Sequence, residues 1–110
     1  MSKEAVVVAD EMRACIDALK LEGQRSESLI QAKANTTNAY KKGRAVRALE
    51  HRSMGTAVTL IKHQAEGDAA QLEAEMIVAT ETLKAHWIRM ENLRAQLNGL
   101  QSINRHLSVS

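Results

Sequence analysis

The stretch AAQLEAEMIVATETLKAHWIRMENLRAQLNGLQSINRHL, residues 69–107, decides the architecture. Steps of three and four residues from Ala69 land on Leu72, Met76, Ala79, Leu83, His86, Met90, Leu93, Leu97, Leu100, Asn104 and Leu107. Ten of those twelve positions are apolar, and Glu73, Glu81, Lys84, Arg89, Glu91, Arg94, Gln101 and Arg105 fill the places between. That spacing lines one face of a helix and conflicts with the two-residue period of a strand. The segment reads as a single helix of ~58 Å, at about 1.5 Å per residue. Leu72, Met76, Leu83, His86, Met90, Leu93, Leu97, Leu100 and Asn104 form its core or oligomer seam. A polar side chain at a seam position, such as His86 or Asn104, fixes register or oligomer state. At its start, Asp68 reads as an N-cap with Gln71 three residues on, and Gly67 closes whatever precedes it.

Upstream, the pattern predicts a helix from about residue 3 to 54, stopped by Gly55. Its stripe begins with Val8, Met12, Ile16 and Leu19 and continues with Leu29, Ala32, Thr36, Ala39, Gly43, Val46 and Leu49. The second group is mostly small, so a partner helix carrying Leu and Met can approach closely. Gly23 and Gly43 each cost roughly 1 kcal/mol against Ala in a helix interior. Asn35-Thr36-Thr37-Asn38 is also poor helix material, and a break near Gly23–Ser28 stays open. Between the arms, Thr59 is placed to cap a short helix at about 60–66, with Leu60 and Ile61 turned onto the long helices. The expected fold is all-α, a single domain over 1–110. It is an antiparallel, coiled-coil-like helical hairpin with a short helix at its tip, and the first arm overhangs the second. So thin a hairpin buries little surface alone, so a homo-oligomer, dimer or higher, assembled as a helical bundle is expected.

Composition agrees. The 110 residues include no Pro, no Phe, one Trp and one Tyr, so the core is aliphatic. Cys15 alone rules out an intramolecular disulfide framework and fits a reducing cytosol. No stretch approaches the ~18 apolar residues of a membrane span. The run Ala5–Ala9 is shorter than a signal-peptide core of roughly 7–15 residues. A cytoplasmic protein without a membrane partner is expected.

The net charge of +2 conceals a strong segregation. Residues 33–63 carry Lys33, Lys41, Lys42, Arg44, Arg47, Arg52 and Lys62 against Glu50 alone, while the segments on either side are each net acidic. His51 and His63 lie in the same stretch and add charge as the pH falls below about 6.5. An anionic partner, phosphate or an acidic protein surface, is one explanation. Cations that complement a helix C-terminus and solvate an exposed face are the plainer one. Tyr40 is the only aromatic nearby, so there is no base-stacking platform and no support for sequence-specific or single-strand recognition.

Catalytic signatures are lacking. The five glycines are isolated, so no phosphate loop is formed. The histidines at 51, 63, 86 and 106 have no partners at metal-ligand spacing, and Cys15 has none either. Cys15, among Met12, Ile16 and Leu19, reads as a small buried apolar residue. Trp87 either completes the core or, if exposed, anchors a partner. No enzyme, cofactor or metal is expected.

Tyr40, Ala45, Leu49, Gly55, Val58-Thr59-Leu60-Ile61, Gly67-Asp68, Glu75 and Leu97-Asn98-Gly99-Leu100-Gln101-Ser102-Ile103 form a recognisable order. Over residues 40–107 the chain resembles a family of small helical bacteriophage proteins of unknown activity, encoded near recombination and replication genes. Ala69-Ala70 departs from the charged residue that this family places after Gly-Asp. The resemblance implies a phage setting and a helical hairpin, and no catalytic residue. The leading expectation is a phage-type accessory protein that binds and inhibits or redirects a host or defence protein, a nucleic-acid-handling machine being one such target. Its contact residues are Lys41, Lys42, Arg44, Arg47, Arg52, Lys62 and His63. A recombination or replication accessory that touches DNA or RNA nonspecifically through the same patch is the alternative, and a purely structural oligomerisation module is a third.

Overall fold

Four helices account for almost all of the chain in a computed structural model that describes residues 2–109. They are α1 (Lys3–Gln24), α2 (Ser26–Ser53), α3 (Val58–Asp68) and α4 (Ala70–Val109), and no strand occurs among the described residues. Ser2 opens α1, its Oγ accepting the Ala5 N–H at 3.1 Å. The α2 helix ends in a left-handed Gly55 with φ +78°. There the Thr56 N–H reaches the His51 carbonyl and the Gly55 N–H reaches that of Arg52, the paired bonds that close a helix through a glycine.

The helices sort into two compact units, and α4 contributes to both. One unit pairs α1 with the part of α4 beyond Lys84. Val8, Cys15 and Leu100 are buried there, with Met12, Leu93, Leu97 and Leu107 packed against them. The Cys15 thiol donates to the Leu93 carbonyl at 3.1 Å. Partner numbers fall as α1 is followed forward, so the two segments run antiparallel. The other unit, Ser28–Leu83, packs α2 against α3 and the first part of α4. Tyr40, His51, Ile61, Ala65, Ala69 and Leu83 are its buried residues. Gly43 lies so close to Leu72 that a Cβ there would meet Leu72 Cδ1 at 2.5 Å. Along α4 the stripe identified in the sequence is the buried or half-buried one throughout, from Ala69 to Leu107.

The structure departs from the sequence reading at several points. The helix expected over residues 3–54, with a break near Gly23–Ser28 left open, is divided within that window at Arg25, whose N–H bonds back to the Glu22 carbonyl three residues away and tightens one turn. The first arm does not overhang. Ser2, Ala5 and Ala9 share a hollow with Asn104, Leu107 and Ser108 near the end of α4. Asp68 is not an N-cap but the last residue of α3, its carboxylate drawn to α2. The short helix begins after Ala57 with no side-chain cap, so Thr59 lies inside it. Of its apolar pair only Ile61 is buried, and Leu60 is exposed. Ile16, Val46 and Leu49 are exposed as well.

Two glycines separate backbone need from mere tolerance. A Cβ added at Gly99 would have nothing within 4 Å, so Gly99→Ala should raise urea-denaturation stability by about 0.5–1 kcal/mol. Gly55→Ala should lower it, because an L side chain is strained at φ +78°.

Candidate functional site

The basic segment is the first candidate, and the structure divides its members. Lys41, Lys42 and Arg52 are exposed on α2, and Lys62 and His63 are exposed on α3. Arg44 places its guanidinium 5.2 Å from the centre of the Tyr40 ring, within cation–π reach. Arg47 instead reaches across to α3. Its Nε donates to Asp68 Oδ2 at 3.1 Å, and its other nitrogens pair with Asp68 and Glu50. The same Asp68 oxygen lies 2.6 Å from His51 Nε2, while His51 Nδ1 lies 3.3 Å from Thr56 Oγ1. His51 is a buried tie between α2, the turn after it and α3.

These bonds set the local charge states. The hydrogen bond from His51 holds the Asp68 carboxyl below its ordinary range; burial opposes this, and the Arg47 bond assists it. Arg47 is raised in turn, chiefly by Asp68. The phenol of Tyr40 is raised first by its hydrogen bond to the Glu73 carboxylate and then by burial, with Arg44 pulling the other way.

A second polar cluster lies in the other unit, and His86 is its only member that sequence spacing singles out. Glu22 and His86 are both buried. Arg25 donates to Glu22 Oε1 at 2.9 Å, and Arg89 Nε lies 3.3 Å from the same oxygen. Ser26 Oγ is 2.8 Å from His86 Nε2, and His86 Nδ1 is 3.7 Å from Glu22 Oε1 without a hydrogen bond. Hydroxyl, imidazole and carboxylate in that order resemble a hydrolytic triad. The 3.7 Å gap is too long to hold an imidazole tautomer. Two guanidiniums already neutralise the carboxylate, and the imidazole is sealed at 1 % side-chain exposure. The cluster is best read as a buried polar layer that matches α1 to α4 at one register. Glu22 carries no sequence signal, since its partner His86 is 64 positions away.

The seam residues are partitioned between the units. Leu83, His86, Met90 and Leu100 are buried, and Leu72, Met76, Leu93, Leu97 and Asn104 are half-buried. Trp87 does not complete the core: it is 41 % exposed, with its ring 4.9 Å from that of His86. No group of acidic, His or Cys side chains able to hold a metal ion occurs among the described residues, and no described helix is long and apolar enough to cross a membrane. Compared with known proteins, the chain matches no family model, no curated protein and no solved structure.

Two measurements test these local bonds. Asp68→Asn should destabilise the protein at neutral pH. A depressed carboxylate stabilises above its unfolded value and stops doing so as the pH falls through its folded value, so melts of the two proteins should converge in acid. Tyr40 is the only tyrosine, so its ultraviolet absorbance change on ionisation reports it alone. Its titration should lie above the ordinary range and move down in Glu73→Gln.

Proposed function

We propose that the chain is a non-enzymatic accessory protein that works by binding, and that its cation-rich α2–α3 segment docks on an acidic surface of a partner protein and blocks or redirects it. One observation carries this reading. Lys41, Lys42, Arg44, Arg52, Lys62 and His63 are exposed, while Glu50, the only acid between residues 33 and 63, is taken up by Arg47. A group of exposed cations raises the association rate with an acidic surface and selects against basic ones. Arg47 is engaged with Asp68 and holds the segment in place rather than contacting the partner. The resemblance over residues 40–107 supports a bacteriophage setting, hence a host or defence protein as the target, met in the cytoplasm. An aromatic platform beside the cations would favour single-stranded nucleic acid; Tyr40 is buried beneath Arg44, which favours a protein surface.

The test is a capture from host lysate with wild type and with a Lys41→Glu, Arg52→Glu, Lys62→Glu triple variant that keeps its helicity. The reading predicts a protein retained by wild type, released as salt rises, and lost in the variant. Equal retention by both proteins contradicts it. A mobility shift of duplex DNA that weakens by about one log unit in affinity per log unit of salt for each phosphate contact would replace the protein target with nucleic acid.

A further inference from the structure

The unit formed by Ser28–Leu83 leaves one flank unpartnered, and that flank is apolar. Leu29 and Ala32 of α2 face Ala74, Val78 and Ala79 of α4 across a hollow of about 370 Å³. A second hollow, of about 400 Å³, lies between Ala39, Gly43 and Val46 on α2 and Leu72 beside them. Ala32, Ala39 and Val46 succeed one another at heptad spacing, so both hollows open on the same flank of α2. Beside these small-residue floors stand Val46, Leu49 and Val78, which are 42 %, 58 % and 65 % exposed. Knobs and hollows on one surface are what a self-complementary contact requires. The unit also needs such cover, because none of the described large apolar side chains is fully buried.

Charge selects the occupant and its orientation. From Ala70 to Leu83, α4 carries Glu73, Glu75 and Glu81 and no Lys or Arg. From Ser28 to Ser53, α2 carries six cations against Glu50. We infer that this flank is a dimer interface: a second copy of the chain covers it about a two-fold axis parallel to the helices, α2 of each copy lying over the first part of α4 of the other. The opposite arrangement, α2 on α2, would set like charges together. Gly43 packs against Leu72, so Lys42 of one copy falls within a turn of Glu75 of the other. The interface uses Lys42 and leaves Lys41 and Arg52 free, so the inference stands independently of the proposed acidic partner.

Sedimentation equilibrium of the full chain tests it. Wild type should sediment at twice the 12.1 kDa chain mass. Val78→Asp, at a position already open to solvent, should keep its helical circular dichroism and weaken association at least about tenfold. Ile77→Asp, on the opposite flank, should leave association unchanged. Lys42→Glu and Glu75→Lys should each weaken the dimer, and the double reversal should restore it. A wild type that stays monomeric over the accessible concentrations, a Val78→Asp dimer of undiminished affinity, or a double reversal that recovers nothing would overturn the inference.

Discussion

A helix can bury only the face it turns toward its neighbours, and in each unit the stripe that runs from Leu72 to Leu107 is the part of α4 that is buried or half-buried. Each of the two units is built on part of that stripe: Leu72 and Leu83 serve one, Met90, Leu93 and Leu100 the other. The remaining features follow from how little such a stripe buries. Large apolar side chains stay partly wet, and glycine is tolerated at Gly43 because Leu72 needs the room. Among the described polar side chains, Glu22, His51 and His86 are buried, and each lies beside other polar groups.

Two such polar groupings take up side chains that would otherwise count as surface charge. Asp68 gathers His51 and Arg47, fastening α3 to the end of α2. Glu22 gathers Arg25 and Arg89 beside His86, where α1 gives way to α2. Buried ionic groups stabilise only modestly once desolvation is counted, and their better-attested use is to specify one register. In both places the acid is satisfied by two or more partners, the condition under which burial costs least. The consequence for function is a sorting of the basic residues. Arg47 is committed to the tie between helices, and Lys41, Arg52 and Lys62 are left to the surface.

The seam of α4 is legible in the sequence because periodicity is a local property that repeats over about eleven turns. The Gly55 stop is legible because a left-handed residue at a helix end strongly favours glycine. Asp68 misleads for an instructive reason. An acid after a glycine and before an apolar run satisfies every local criterion of an N-cap, but His51 and Arg47, 17 and 21 residues earlier, compete for the same carboxylate. Nothing local marks that competition. The burial of Glu22 shares this origin, since its partners His86 and Arg89 lie far along the chain. The exposure of Val46 and Leu49 reflects a third effect: α3 lies beside the end of α2, so the face turned inward is that of His51 rather than that of the apolar stripe.

A glutamate scan along α4, read by resistance to proteolysis, tests the central dependence most directly. Loss of resistance should recur at Leu72, Met76, Ala79, Leu83, His86, Met90, Leu93, Leu97 and Leu100, while Ile77, Ile88 and Ile103, half-exposed and off the stripe, should tolerate the charge. Equal sensitivity at those three isoleucines and at the seam would contradict the account, because α4 would then be buried all round rather than along one line.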